Sequence, residues 1–162
     1  MAWAKDATNT LSGASGTQTI SLTPYKFNQF LNHVISKSAT AAATFQCSGN
    51  TGSNYAYRGS QNGGADGTST SQSNIQSSTN NNDDPEFGVC YWCNISGEEK
   101  LFIHWYMNGQ NVGATNAPQR FEHVGKFTIT SGQASSLDFD SDGLLGTGNY
   151  GIGTNITNLG TD

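Results

Sequence analysis

The sequence predicts a mostly β fold: an antiparallel, jelly-roll-like β-sandwich of about eight strands with one short helix. Ser, Thr, Asn and Gly supply 73 of the 162 residues, whereas charged residues supply only 12%. Gly and Asn favour turns and Thr tolerates strands, but the Lys and Glu that build surface helices are scarce. An aromatic content of 10% favours a packed core over disorder.

Charge and hydropathy exclude some classes of function. A net charge of −5 leaves no basic surface for nucleic acid and disfavours anionic membranes. No apolar run approaches the roughly 20 residues that span a bilayer, and the N-terminus lacks the apolar core of a signal peptide. We therefore expect a protein made in a cytoplasm, with three reduced cysteines and without nucleic acid or membrane as a partner.

The chain is predicted to divide into an N-terminal arm, residues 1–19, and a β-sandwich domain, residues 20–162. The first segment is polar and patternless, which predicts a mobile arm. Apolar side chains gain nothing from exposure on a free arm, yet this segment contains Trp3 and Leu11. We therefore predict that both residues contact a neighbouring subunit.

A short helix is predicted over residues 24–36. Its apolar residues follow the helical spacing i, i+3, i+4, i+7 and i+8, and they are Phe27, Phe30, Leu31, Val34 and Ile35. Thr23 suits the N-cap, and Pro24 suits the first helical position. A strand is the alternative, because the Asn and His residues of this segment are poor helix formers.

The strongest β signal is a hairpin. Large apolar residues alternate over residues 87–95 and again over residues 101–107, with a Gly- and Glu-containing turn between them. Intervening residues such as Trp92 and Phe102 are also apolar, so both faces need a cover, from a second sheet, the helix or a partner subunit. Weaker patterns predict six further strands, at residues 43–47, 53–58, 70–76, 121–130, 135–139 and 153–159.

Cys90 and Cys93 form a C-x-x-C pair. A redox pair of this kind lies at a helix N-terminus, and zinc needs two such pairs or additional His ligands. Here the motif lies inside a predicted strand, where residues three apart point to opposite faces. We therefore predict two free structural cysteines.

Residues 138–143 resemble the start of a calcium loop, with oxygens at alternate positions, at Asp138, Asp140 and Asp142. The twelfth position is Asn149 instead of the bidentate Glu of the full motif, and no helical pattern flanks the segment. These Asp residues are the metal candidates of the chain. The sequence nevertheless favours a solvated turn and predicts no tight calcium site.

No catalytic signature appears in the sequence. The chain has neither a G-x-S-x-G motif nor a phosphate-binding loop. We therefore expect no catalytic residues, no cofactor and no enzymatic activity.

Aromatic residues outside the core pattern are candidates for stacking on sugars. The hairpin pattern buries Trp92, Trp105 and Tyr106. Tyr55 and Tyr57 precede a loop and are predicted to be open to solvent. These two tyrosines are the predicted glycan-binding residues.

Several short stretches resemble a known kind of protein. They are residues 50–57 (NTGSNYAY), 58–66 (RGSQNGGAD), 125–127 (GKF), 130–137 (TSGQASSL) and the last strand, 153–160. Together they are similar to small β-sandwich structural proteins of tailed viruses that infect bacteria and archaea, over roughly residues 20–162. The resemblance implies a strand where the apolar spacing predicts the helix.

The resemblance also implies a non-enzymatic virion component: a head decoration protein, a fibre or a tail-associated module. Nearly uncharged loops on a β scaffold suit the surface of a particle. The interpretation is a capsid decoration or surface protein, made in the host cytoplasm, that acts in particle assembly or stabilisation. Its expected partners are other virion proteins and further copies of itself. The alternative is a fibre or tail module that binds a host glycan or receptor.

Overall fold

The computed structural model describes residues 2–38, 42–77, 84–109, 113–141 and 148–162. These residues form fourteen strands and connecting loops, and they include no helix that could span a membrane. The first strands are β1 Ala4–Thr10, β2 Thr17–Ser21, β3 Phe27–Val34, β4 Lys37–Ser38, β5 Thr44–Cys47, β6 Tyr55–Gln61, β7 Gly67–Gln72 and β8 Ile75–Gln76. The others are β9 Glu86–Cys93, β10 Lys100–Asn108, β11 Gln119–Phe127, β12 Ser136–Asp140, β13 Asn149–Tyr150 and β14 Asn155–Thr161.

Twelve of these strands form two antiparallel sheets that share one core, and β13 and β4 pair as a separate two-stranded sheet. The large sheet has eight strands in the order β1-β14-β3-β9-β10-β11-β6-β7, and the small sheet has four in the order β2-β12-β5-β8. Phe30 of the large sheet meets Phe45 and Phe139 of the small sheet, with ring centroids 5.2 and 6.1 Å apart. The predicted antiparallel β-sandwich is therefore confirmed. Below, the inner face of the large sheet is the side toward the small sheet, and the outer face is the opposite side.

The predicted helix is wrong, because residues 27–34 are β3, a central strand of the large sheet. Phe30 and Val34 point inward and are fully buried, whereas Phe27 points outward and is 41% exposed. Apolar residues thus occupy both faces of the strand, and their positions happen to coincide with helical spacing. Pairing with β14 on one side and β9 on the other holds the segment extended.

The predicted free arm is also wrong. β1 pairs with β14, from Ala4↔Gly160 to Thr10↔Asn155, and forms one edge of the large sheet. β2 pairs with β12 and forms one edge of the small sheet. Backbone hydrogen bonds hold an edge strand without any apolar pattern, so its side chains give little sequence signal. The sandwich therefore contains residues on both sides of the predicted boundary at residue 19.

The two predicted interface residues have different environments. Trp3 is 46% exposed beside the edge strand β1. Leu11 packs against the core, and its backbone N–H donates to the carbonyl of Thr154 at 2.9 Å. Leu11 is therefore partly buried against the core of its own chain, and contact of Trp3 and Leu11 with another subunit stays a prediction.

The predicted hairpin is confirmed as β9 and β10, which pair along their length. Cys90 points to the inner face and is buried, whereas Cys93 points to the outer face and is half-buried. Both thiols are free, as is that of Cys47. The prediction of two free cysteines on opposite faces of one strand is therefore confirmed.

We expect one reactive thiol in dilute native protein. Cys93 should react readily with a thiol reagent, whereas Cys47 and Cys90 should react only after unfolding, because burial raises the pKa of both thiols and blocks access. Thiol titration with and without denaturant measures this difference. The variant Cys93→Ser should lack the fast reaction, and fast reaction of a second thiol would contradict the assigned faces of β9.

Candidate functional site

The candidate site is the outer face of the large sheet. The large apolar side chains that are 41–55% exposed there are those of Phe27, Phe87, Tyr91, Leu101, Ile103, Trp105, Met107 and Val124. They lie on the adjacent strands β3, β9, β10 and β11. A monomeric protein rarely exposes a contiguous apolar surface of more than a few hundred Å². This apolar face is therefore the candidate site of the molecule.

β10 has the reverse of the usual polarity. Its inward positions include Lys100, His104 and Asn108, each at most 1% exposed, while its outward positions are all large and apolar. Burial of Lys100 is possible because its ammonium group donates to the carbonyl oxygens of Ile95 and Glu98, at 2.8 and 2.7 Å. A strand with water on its outer side would carry polar residues outward.

Aromatic pairs in the core set the direction of β10. Phe102 stacks on Trp92 with ring centroids 5.3 Å apart, and Tyr106 stacks on Phe121 at 4.3 Å. These rings fill the space between the sheets, so the alternate residues of β10 must point outward. The apolar outer side chains are therefore held by a rigid, well-packed strand.

Polar and charged side chains flank the apolar centre. On β11, Arg120 pairs with Glu122 at 3.3 Å, and Lys126 pairs with Glu99 at 2.9 Å. On the opposite side, β3 contributes the polar side chain of Gln29, which donates to the Tyr91 hydroxyl at 3.1 Å. An apolar centre with a polar rim is the usual composition of a protein–protein interface.

The outer face is concave on the side toward β7. A groove of about 500 Å³ crosses β10, β11, β6 and β7, and its lining includes Leu101, Ile103 and Val124. A depression of about 250 Å³ adjoins it, and there Trp105 lies among charged side chains such as Asp66. The first hollow is largely apolar, and the second combines an indole ring with charged groups.

Of the two predicted glycan-binding residues, Tyr57 is half-buried on the inner face, where its ring lies 5.9 Å from that of His123 and its hydroxyl donates to Gln76 at 3.4 Å. Tyr55 is 1% exposed, and its hydroxyl donates to the Asn50 carbonyl at 3.1 Å and accepts from the Cys47 N–H at 2.8 Å. The predicted exposure of Tyr55 is therefore wrong. Its ring stacks on Phe127 inside the sandwich, with centroids 4.8 Å apart.

Trp105 is the site residue that sequence reasoning missed. The hairpin pattern predicted a buried ring, but the ring is 44% exposed near the centre of the outer face. It makes an edge contact with Tyr91, with ring centroids 6.2 Å apart. Both sets of alternate residues on β10 include large apolar side chains, and the polar residues Lys100, His104 and Asn108 lie on the buried face, where sequence reasoning would not place them. The sequence alone therefore could not place this ring.

The calcium candidates lie on and after β12. Asp138 and Asp140 occupy alternate positions of this strand, and Asp142 lies outside the described residues. The Asp138 carboxylate accepts hydrogen bonds from the Thr19 hydroxyl at 2.6 Å and from the Gly49 N–H at 2.8 Å. It therefore connects β12 to β2 and to the turn after β5. Within the described ranges, no three His, Cys, Asp or Glu side chains are grouped as a metal site.

Two of the three histidines are core residues. His104 and His123 lie on the inner face with ring centroids 6.4 Å apart, and His104 also packs against Phe30 and Tyr106. Burial, and to a smaller extent the nearby His123, lowers the pKa of His104 to about 3. Burial also lowers the pKa of His123. Both imidazoles are therefore neutral near pH 7, while His33 lies exposed on β3.

Comparisons with known proteins place the chain in no family. No protein-family model and no curated protein matches it. Among solved structures it is similar to an alginate lyase, Aly36B, in complex with an alginate tetrasaccharide, at 12% identity over 96% of this chain and 79% of that chain, with a TM-score of 0.34. It is also similar to the CBM2 module of the evolved Dit of Lactobacillus casei BL23 phage J-1, at 10% identity over 100% and 81%, with a TM-score of 0.17.

Similarities with such TM-scores carry no argument about function. The class of this protein is therefore given by its fold and its candidate site, without reference to a relative. The chain is an antiparallel β-sandwich whose large sheet presents an apolar, partly concave outer face.

Proposed function

We propose that this protein is a non-enzymatic virion structural protein, a capsid decoration or surface protein that acts in particle assembly or stabilisation. The observation that carries the proposal is the reversed polarity of β10, which buries Lys100 and His104 and exposes Ile103 and Trp105. Covering by another protein surface removes such a face from water and stabilises the assembly. The resemblance to structural proteins of tailed viruses supports the virion as the setting.

The chemistry of the face favours a protein partner over a small substrate. The side chains of Leu101, Ile103 and Met107 gain free energy from close packing with other apolar groups and offer no hydrogen bonds to a polar ligand. The charged groups at the rim, such as Arg120 and Glu122, pair with each other. They do not converge with a nucleophile on one point, as catalysis requires.

A second candidate function is a fibre or tail module that binds a host glycan or receptor. The depression beside Trp105 favours it, because an exposed indole next to Arg58, Asp66 and Glu122 combines a stacking surface with hydrogen-bonding groups. Glycan binding by the unmodified protein that is lost in Trp105→Ala would favour this candidate.

The proposal predicts that the chain is a stoichiometric component of the particle. Virions purified from infected cells by density gradient and nuclease treatment should contain its peptides in amounts comparable to those of other structural proteins. Quantitative mass spectrometry measures this ratio, and the infected-cell lysate serves as the control for expression. Abundance in the lysate together with absence from intact virions would contradict the proposal.

A further inference from the structure

We propose that a second copy of this chain covers the outer face, packed face to face across a twofold axis that runs parallel to the strands between β9 and β10. This inference rests on the proposed structural role and adds the partner and the geometry of the contact. It is supported by the area of the face, its distribution of charge and the position of its groove.

The area of the face suits a stable dimer. The neighbouring strands β14, β3, β9, β10, β11 and β6 are seven to nine residues long. With strands about 4.8 Å apart and a rise of about 3.4 Å per residue, they cover about 800 Å². Two such faces in contact bury about 1,600 Å², which is the area of a typical stable interface.

The most apolar strands lie at the proposed axis. The rotation places β10 of one copy over β9 of the other. Trp105 and Val89 are cross-strand neighbours within one chain, so Trp105 of one copy lies over the partner subunit's Val89. Leu101, Ile103 and Met107 likewise face the apolar outward side chains of β9. Large aromatic and aliphatic residues then occupy the centre of the interface, where binding energy concentrates.

The same axis avoids contact between like charges. It places β11, with Arg120, Glu122 and Lys126, over the partner subunit's β3. β3 contains no Lys, Arg, Asp or Glu. An axis perpendicular to the strands would instead place β11 over its own copy and bring Arg120 toward the partner subunit's Lys126. Repulsion between these cations disfavours that arrangement.

The groove receives a side chain in the proposed arrangement. Phe27, Cys93 and Leu101 lie at one level on β3, β9 and β10, and Lys126 on β11 lies at the level of Leu101. Phe27 therefore faces the part of the partner subunit's β11 that forms the floor of the groove, next to the partner subunit's Val124. The Phe27 side chain is 41% exposed, and each copy supplies one such aromatic anchor.

The edge strand β1 offers a poor alternative contact. It carries Lys5 and Asp6, and its pairing with β14 shifts register between Lys5 and Ala7. Charged residues and bulges on an edge strand disfavour pairing with another sheet. This edge of the large sheet is therefore a weaker candidate for association than the outer face.

Sedimentation equilibrium over a wide range of protein concentrations tests the dimer. The unmodified protein is expected to sediment as a dimer. Phe27→Ala, which removes the anchor from the groove, and Ile103→Asp, which places a carboxylate at the centre, should each raise the dissociation constant at least about tenfold. The matched control is Ile152→Asp, since Ile152 is 63% exposed in the turn before β14 and should not affect sedimentation.

Cys93 provides a second readout that needs no substitution. It lies on the outer face and is covered by the partner in the proposed dimer. Its reaction with a thiol reagent should therefore slow as the protein concentration rises through the dissociation constant. The slowing should disappear in Ile103→Asp and persist in Ile152→Asp. A Cys93 reaction rate that is independent of protein concentration would overturn the proposed geometry.

The outcomes separate this inference from the proposed function. A chain that is monomeric at all concentrations, or a dimer that Phe27→Ala and Ile103→Asp leave unchanged, overturns the face-to-face dimer. A monomer that binds glycan in a Trp105-dependent manner overturns it in favour of the second candidate function. The content of purified virions decides the proposed function separately, because a dimer that is absent from virions would contradict only that proposal.

Discussion

Replacing Lys37 by Met is expected to lower the free energy of unfolding by about 3–5 kcal/mol. The ammonium group of Lys37 lies 2.6 Å from a carboxylate oxygen of Glu86, and the two side chains are 0% and 1% exposed. The pair connects β4 to the first residue of β9. Removing the cation leaves a buried carboxylate without its ion-pair partner, which costs far more than the intact pair contributes. Urea denaturation at a fixed protein concentration measures the loss.

Two controls test the cause of this loss. The double variant Lys37→Met/Glu86→Leu removes both charges and should recover most of the stability. Arg58→Met breaks a pair with Asp66 that spans 4.0 Å with side chains 61% and 55% exposed, and it should cost less than about 1 kcal/mol. If Lys37→Met lowers the free energy of unfolding no more than Arg58→Met does, the loss of the buried ion pair does not destabilise the fold as expected.

Replacing His104 by Leu is expected to stabilise the protein increasingly as the pH falls. Within the described part of the chain, neither ring nitrogen of His104 has a hydrogen-bond partner. Burial lowers the pKa of His104 from 6.5 to about 3, so between these values the unfolded state binds more protons than the folded state. The free energy of unfolding therefore decreases as the pH is lowered through this window, by up to about 1.4 kcal/mol per pH unit for one such group.

Comparing His104→Leu with the wild type separates the contribution of the His104 imidazole from that of the carboxylates, which also titrate in acid. Urea denaturation of the wild type and of His104→Leu between pH 7 and pH 4 should give curves that diverge toward low pH. Leu has a volume close to that of His, so the substitution at neutral pH should be neutral or stabilising by about 1 kcal/mol. Parallel curves for His104→Leu and the wild type would contradict the buried neutral imidazole.

These experiments depend on the oligomeric state. A dimer stabilises the folded chain by mass action, so the apparent stability rises with protein concentration. The interior substitutions should shift the denaturation midpoint at every concentration, because Lys37 and His104 lie inside one subunit. Ile103→Asp should instead remove the dependence on concentration. The two kinds of variant thus separate folding of the sandwich from its association.

The sequence by itself determined the β class and the central hairpin. Period-two alternation over residues 87–95 and 101–107 corresponds to β9 and β10 of the structure. The same alternation correctly placed Cys90 and Cys93 on opposite faces. These features follow from the geometry of a single strand, in which successive side chains point to opposite sides, so neighbouring residues contain the necessary information.

Only the tertiary structure decided which face of β10 is covered and which segments become strands. Apolar side chains lie on both sides of β10, so the direction of Trp105 depends on the aromatic pairs that fill the core. The edge strand β1 and the helix-like segment of β3 are both extended because β14, from the far end of the chain, pairs with each of them. Hydrogen bonds and burial supplied by such distant residues override local spacing, and a window of neighbouring residues does not contain them.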